Sequence, residues 1–198
     1  MQKLKRDFYI KDVLTVARNL LGKIFVYNDK RINKILSAKI VEVEAYNGRT
    51  DEAAHTFNGK TERNKIMFEQ GGYLYVYFTY GIHFCANVVT GKEGEGTAVL
   101  LRGMEPLDGI DYFTKRRFPH KNNTDKKNLL NGPAKICQAF KIAREQNGTD
   151  LLGNEIYLFD APEIPESKIV KTKRIGIKKS TELPWRFYIK DSIYVSKK

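Results

Sequence analysis

Two carboxylates lie two residues apart in a segment whose other side chains are mostly apolar. If residues 40–46 form a β-strand, Glu42, Glu44 and Tyr46 share one face of it, opposite aliphatic side chains. Residues two apart on a strand are separated by about 6.6 Å, and enzymes that cleave glycosidic bonds use carboxylate pairs at roughly that separation. A half-exposed strand whose polar face meets water explains the same pattern. The chemistry therefore depends on which groups surround the end of this strand.

Ionisable side chains follow the strand directly. Residues 48–63 are rich in Gly, Thr, Asn and Asp and predict a long loop, with a helical turn around residues 51–55. His55 in this loop is typical of a structural hydrogen-bonding residue, and a zinc site with Glu44 lacks a second His or Cys at suitable spacing. Arg102 ends a predicted apolar strand. It requires a carboxylate such as Glu44 if it is buried, and otherwise reaches solvent.

Four tyrosines fall within the eight residues from Tyr73 to Tyr80, and Gly81 follows them directly. The first three alternate with apolar residues, which predicts a strand with two different faces. Gly81 favours a tight turn that leaves Tyr80 at its tip. Asn87 lies in the returning, otherwise apolar strand, where its amide needs a partner from the backbone or from a base edge. Simple packing of tyrosines in β-structure is the alternative explanation.

The charge of the chain indicates a polyanionic partner. The 198 residues include 35 Lys and Arg against 23 Asp and Glu, a formal net charge of +12. Nucleic acid is therefore the first partner to consider, ahead of an anionic membrane surface, and a basic surface without a dedicated partner is the alternative. Cys85 and Cys137 are expected to be reduced core residues. The first residues lack a signal peptide and no run reaches the ~20 apolar residues that span a bilayer, so we expect a cytosolic protein.

The remaining pattern predicts the elements that position these groups. Asp12 is expected to cap a helix over residues 13–21, and a second helix is expected to begin at Pro133 and to stop at Gly148. Further predictions are a short helix over residues 106–113, an exposed basic loop over 115–127, and strands over 23–27, 35–46, 73–79, 84–89, 97–101, 156–159, 169–177, 185–189 and 193–195. We expect one α+β domain over residues 1–198, with a curved, mixed or mainly antiparallel sheet, surrounding helices and a protruding β-hairpin.

These segments together resemble the alkyladenine (3-methyladenine) DNA glycosylase family. The resemblance extends in order over nearly the whole chain, through the blocks VEVEAY (41–46), DEAAH (51–55), YVYFTYG (75–81), Asn87, VLLR (99–102), GPAK (132–135), RIGI (174–177) and WRFY (185–188). Eukaryotic members carry a longer N-terminal extension, so this chain resembles a bacterial member. The family implies a single domain that binds duplex DNA through the minor groove and cuts the N-glycosidic bond of a damaged base.

The resemblance implies a role for each matching residue. Glu44 matches the general base that activates water, and Arg102 matches the residue that holds this water or the carboxylate. The substrate-binding positions match Tyr46 and Tyr77, whose rings sandwich the flipped base, His55 as a hydrogen-bonding residue of the pocket, and Asn87, which crowds the amino group of guanine. Tyr80 matches the side chain inserted into the duplex, with Ile82 beside it. Ile82 and His83 stand where a methionine and a tyrosine can occur in the family, and this puts the damage preference in doubt.

The implied activity is that of a monofunctional DNA repair glycosylase, since the motifs single out no lysine as a Schiff-base nucleophile. The expected substrates are 3-methyladenine and 7-methylguanine, with hypoxanthine and ethenoadenine as further candidates. The expected partner is double-stranded DNA containing damaged purines, bound by a cytoplasmic, nucleoid-associated monomer without cofactor, metal or membrane. Two alternatives stay open. A non-enzymatic module would stack single-stranded bases on its tyrosines, and a sugar glycosidase would use Glu42 and Glu44, although the positive charge disfavours a neutral glycan.

Overall fold

The computed structural model, which describes residues 2–79, 81–120 and 125–197, is built around an antiparallel sheet of eight strands. The strands are β1 (Ile24–Asp29), β2 (Lys34–Asn47), β3 (Leu74–Thr79), β4 (His83–Thr90), β5 (Thr97–Pro106), β6 (Ile156–Phe159), β7 (Ile169–Thr172) and β8 (Arg186–Ile189). The helices are α1 (Arg6–Tyr9), α2 (Val13–Leu20), α3 (Ile110–Arg117) and α4 (Pro133–Phe140), with short 3₁₀ turns between elements. The strand order is β3-β4-β5-β2-β1-β6, and β8 joins β7 to β2. The predicted α+β class is confirmed.

Strand β2 is the centre of this arrangement because it has three neighbours. β5 pairs with it along residues 38–47, on one side. On the other side β1 pairs along residues 34–39 and β8 along residues 42–44. The half of β2 that carries Glu42 and Glu44 therefore lies between β5 and β8, which place Arg102 and Arg186 beside these carboxylates.

Local sequence signals account for the start of each long helix. The Asp12 side chain accepts hydrogen bonds from the backbone N–H groups of Leu14 and Thr15 and caps α2, as predicted. The buried side of α2 packs against β2 and β5. Pro133 begins α4, where its missing N–H is not needed. The buried face of α4 packs against β4 and β5 and closes the main core cluster.

Several predicted boundaries are wrong. Strand β5 continues to Pro106, and α3 begins only at Ile110, after Gly109 in a left-handed conformation with φ 86°. α4 ends at Phe140 rather than near Gly148, since Lys141 takes a left-handed conformation with φ 58°. Residues 193 and 194 form a turn, and residues 193–195 contain no strand. The predicted helical turn at residues 51–55 is a series of tight turns.

The predicted β-hairpin is formed by β3 and β4. Thr79 pairs with His83, and Gly81 has φ 69°, so the glycine supplies the conformation that the tight turn requires. Tyr80, the predicted intercalating residue, lies outside the described residues, as do residues 121–124 of the predicted basic loop. Among the helices of the described ranges, none is long and apolar enough to cross a membrane.

Candidate active site

A cavity of about 580 Å³ brings together residues from distant parts of the chain. Its walls include Tyr46, His55, Tyr77, Asn87 and Arg102, which the sequence singled out separately. The segment of residues 175–179, between β7 and β8, forms a further wall. A volume of this size falls in the range of pockets that hold small organic ligands.

Glu44 lies directly behind this wall. Its side chain is fully buried, and the carboxylate is bound by three groups that line the cavity. Oε1 accepts a hydrogen bond from the backbone N–H of Ile175 at 2.7 Å. Oε2 accepts one from the Tyr46 hydroxyl at 3.0 Å and one from Nη1 of Arg102 at 3.4 Å. The polar face of β2 therefore does not meet water, contrary to the half-exposed strand that the pattern alone allowed.

The environment of Glu44 favours proton acceptance. Burial raises the pKa of the Glu44 carboxyl, while the Arg102 charge and the hydrogen bonds from Ile175 and Tyr46 oppose this rise. A carboxylate with a raised pKa is a stronger base toward water than an exposed one. The three donors keep the carboxylate in one orientation, which a positioned base requires.

Glu42, the neighbouring carboxylate on the same face, has a different environment. It is fully buried and lies against Arg186, with Nε at 2.7 Å, and Ser196, whose backbone N–H and hydroxyl donate at 2.5 and 2.8 Å. Nε of Arg102 is 3.2 Å from Oε1 of Glu42. Neither glutamate is among the residues that line the cavity. The two glutamates are therefore distinguished by the partners they do not share: Ile175 and Tyr46, which bind Glu44, line the cavity. Arg186 and Ser196, which bind Glu42, do not.

Aromatic rings form much of the cavity wall. Tyr77 stacks on the buried Tyr75 with ring centres 5.7 Å apart and planes inclined by 20°. The His55 ring meets Tyr77 edge-on at 4.5 Å, and its Nδ1 lies 3.1 Å from the Tyr75 hydroxyl. Burial raises the pKa of Tyr46 and of Tyr77, so both phenols stay protonated near neutral pH. Loss of hydration and the nearby Arg63 lower the pKa of His55, which keeps this ring neutral.

These tyrosines do not form an open stacking platform. Tyr75 is buried in the second, smaller core cluster, and Tyr77 is half-buried at the cavity. A surface that stacks successive single-stranded bases needs exposed rings in a row along a groove. The arrangement instead fits one flat ligand within a single pocket.

Asn87 and Ile82 occupy opposite ends of the hairpin. Asn87 is buried, lines the cavity, and donates from Nδ2 to the backbone carbonyl of Tyr75 at 3.2 Å. Ile82 lies at the turn with 71% of its surface exposed, and Phe78 nearby is 42% exposed. Exposed apolar side chains are stabilised when a contact removes them from water. The hairpin tip is therefore suited to contact an apolar surface of another molecule outside the pocket.

Comparison with known proteins identifies the family of this chain. A family model described as Methylpurine-DNA glycosylase (MPG) matches residues 7–193. The chain belongs to the methylpurine-DNA glycosylase family. A relative from Clostridium novyi (strain NT), named "Putative 3-methyladenine DNA glycosylase", is 48% identical over 206 residues covering 100% of both chains. A relative of the same name from Chlorobaculum parvum (strain DSM 263 / NCIMB 8327) is 48% identical over 196 residues, covering 99% of this chain and 91% of its own. The family resemblance seen in the sequence is confirmed.

In this member of the methylpurine-DNA glycosylase family, sequence reasoning assigned no role to Arg174, although it begins one of the matching blocks. Arg174 forms a fully buried, two-pronged ion pair with Asp51 and donates to the backbone carbonyl of Ala45 at 2.9 Å. Its guanidinium lies 4.6 Å from the centre of the Tyr46 ring. Arg174 thus fixes the ring of Tyr46. It also fixes the residue that follows it, Ile175, whose backbone N–H binds Glu44.

Two further groups of cavity residues had no assigned role. Arg63, Lys178 and Lys179 line the cavity, and Lys179 forms an exposed ion pair with Glu52 at 3.0 Å. Cys85 also lines the cavity as a free, buried thiol whose pKa is raised by burial. Within residues 2–79, 81–120 and 125–197, no group of three or more His, Cys, Asp or Glu side chains is arranged to hold a metal ion.

Proposed function

We propose that this protein is a DNA glycosylase that flips alkylated purines out of duplex DNA and hydrolyses their N-glycosidic bond. The observation that carries the proposal is the Glu44 carboxylate, held by Ile175, Tyr46 and Arg102 immediately behind an aromatic cavity. Family membership and the relatives' names support the same activity. The proposed substrates are 3-methyladenine and 7-methylguanine, followed by hypoxanthine and ethenoadenine.

Extrusion of the damaged nucleotide is the first step. It costs a few kcal/mol, and less when the base is damaged or mispaired. An apolar wedge that fills the vacated stack offsets part of this cost, and we assign the wedge to Tyr80 with Ile82 beside it. The exposure of Ile82 at the hairpin turn supports this assignment. The basic side chains of Arg63, Lys178 and Lys179 at the cavity suit contacts with the DNA phosphates.

Recognition of the flipped base follows from the chemistry of the walls. Alkylation at N3 or N7 makes a purine cationic, and aromatic faces attract a cation by roughly 0.5–2 kcal/mol. We propose that Tyr46 and Tyr77 enclose the base, that His55 provides a hydrogen bond, and that Asn87 crowds the exocyclic amino group of an undamaged guanine. All four residues line one cavity, which supports this division of roles.

Hydrolysis needs a placed water and a base. In the proposed step, Glu44 accepts a proton from water while the water oxygen attacks C1′. The electron pair of the breaking C1′–N bond leaves with the purine. The carboxylate also stabilises the positive charge that develops on the sugar, and Arg102 holds the carboxylate. Cationic bases leave without protonation, whereas neutral lesions such as hypoxanthine require an added proton. Water is the nucleophile, so we propose a monofunctional enzyme, acting as a monomer on DNA in the cytoplasm.

Replacing Glu44 by glutamine tests the proposal. Free base is measured by chromatography under single-turnover conditions, with duplexes that carry each of the four lesions. We expect E44Q to lose at least ~100-fold in rate, the scale of a lost general base, and to keep its affinity for damaged duplex. The matched control is E105Q, which removes a partly exposed carboxylate from β5 that pairs with Lys39.

The same assay separates the alternatives. Near wild-type turnover by E44Q would refute the assignment of the base. A protein that releases no base and prefers single strands would be the non-enzymatic module. Treatment with borohydride should trap no covalent complex with DNA, and a trapped complex would contradict the water mechanism.

A further inference from the structure

The most unusual feature outside the proposed chemistry is a second buried carboxylate tied to the end of the chain. Glu42 carries a fully buried charge on the same face of β2 as Glu44, and its carboxylate faces Arg102 and Arg186. Both oxygens also receive hydrogen bonds from Ser196, one from the hydroxyl and one from the backbone N–H. A buried charge is costly unless it is fully paired, so this set of partners requires an explanation.

Backbone geometry makes room for this carboxylate. The register between β2 and β5 shifts on both sides of the Glu42–Gly103 pair. A Cβ atom at Gly103 would lie 2.9 Å from Oε2 of Glu42 and 2.9 Å from the backbone carbonyl of Tyr194. The glycine therefore allows both the carboxylate and the C-terminal segment to approach the sheet closely.

Arg102 connects the two carboxylates. Its Nε lies 3.2 Å from Oε1 of Glu42, an ion-pair contact without hydrogen-bond geometry. Its Nη1 donates a hydrogen bond to Oε2 of Glu44 at 3.4 Å. Arg186 lies on the other side and contacts Glu42 at 2.7 Å, so Arg102 is the guanidinium that the two carboxylates share. The position of Arg102 relative to Glu44 thus depends on how firmly Glu42 is held.

We propose that Glu42 and Ser196 are positioning residues for base excision: Ser196 fixes the Glu42 carboxylate, and Glu42 holds the Arg102 guanidinium in place beside Glu44. This inference rests on the proposed function. It assigns a role in the reaction to the C-terminal segment, which does not line the cavity. It also gives a role to the second carboxylate buried next to the proposed base.

The charge of Glu42 has a predictable effect on the general base. Besides burial, which is the main cause, the nearby Glu42 charge raises the pKa of Glu44. Loss of the Glu42 charge lowers the pKa of Glu44, and closer pairing of Arg102 with Glu44 lowers it further. Glu44 then ionises more easily and is a weaker base. The charged and titratable groups near Glu44 are Glu42 and Tyr46 from β2, Tyr77 from β3, Arg102 from β5, Arg186 from β8 and Arg174 from the segment after β7.

The test compares E42Q, S196A and S196T with wild-type protein in single-turnover release of 7-methylguanine across the pH range. We expect E42Q to lose about 10- to 100-fold in maximal rate, because a displacement of about 1 Å at a reacting group has that effect. Its acidic limb should move to lower pH, because loss of the Glu42 charge lowers the pKa of Glu44. S196A should lose about three- to tenfold, with a shift in the same direction, and S196T should recover most of the rate. Affinity for damaged duplex should stay within about twofold, as none of these side chains lines the cavity.

The matched control is S192A, in the same C-terminal segment, where the serine hydroxyl accepts a hydrogen bond from the Tyr194 N–H and does not touch Glu42. S192A should match wild type in rate and in pH profile. Rates are expressed per folded molecule, and if E42Q does not fold, S196A and S196T decide the question. An unshifted pH profile in E42Q or S196A, or an equal loss in S192A, overturns the inference. Failure of the wild-type protein to release any base would instead refute the proposed function.

Discussion

Replacing Asp51 by asparagine tests whether the buried Asp51–Arg174 ion pair anchors the loop after β2 to the segment after β7. Both side chains have no exposed surface, and the two guanidinium nitrogens contact both carboxylate oxygens. Removal of one partner from a buried pair leaves an uncompensated charge and costs about 3–5 kcal/mol. D51N preserves the shape of the side chain, so we expect a loss near the lower end of that range.

The same two segments offer an exposed comparison. Glu52 and Lys179 form an ion pair with side-chain exposures of 53% and 64%. Exposed pairs contribute about 0–1 kcal/mol because water screens both charges. E52Q therefore changes the neighbouring residue of the same loop, removes a contact to the same segment, and differs from D51N mainly in burial.

The assay is thermal unfolding at neutral pH, combined with base release well below the transition. At about 2–4 °C per kcal/mol for a chain of this length, D51N should lower Tm by about 6–12 °C, and E52Q by no more than about 4 °C. At temperatures where D51N is folded, release should still be slower, because Arg174 orients Tyr46 and precedes Ile175. Equal Tm values for D51N and wild type, or equal losses in the two variants, would refute the argument from burial.

Two further predictions concern the encounter with DNA. I82A should reduce base release about three- to tenfold while changing the free energy of unfolding by no more than about 0.5 kcal/mol, or Tm by about 2 °C. I35A, which truncates another exposed isoleucine at the start of β2, should change neither measurement. If I35A is as slow as I82A, the hairpin tip has no special role. Affinity for damaged duplex should fall with salt at a log–log slope of about −0.9 per phosphate contact, as the +12 net charge implies; a flat response in a binding titration would argue against a phosphate-contacting surface.

Periodicity and capping signals predicted the structure correctly where it depends on contacts between residues that are close in sequence. Alternation along β2 placed Glu42 and Glu44 on one face, Asp12 capped α2, and Gly81 formed the hairpin turn. The ends of helices were less predictable. α4 stops where Lys141 takes a left-handed conformation, which is uncommon for a residue with a side chain, and the glycine expected to end the helix lies further along.

The difference between Glu42 and Glu44 depends on contacts between distant residues. The pattern of β2 treats the two side chains alike, and family resemblance alone marked Glu44. Glu44 is bound by the N–H of Ile175, 131 residues later, while Glu42 is bound by Ser196, 154 residues later. Neither contact leaves a trace in local periodicity, because it depends on where β8 and the segments beside it pack against the sheet. Local sequence thus accounts for the face on which the two carboxylates lie. Long-range packing decides that Ile175, which lines the cavity, binds Glu44, and that Ser196, which does not, binds Glu42.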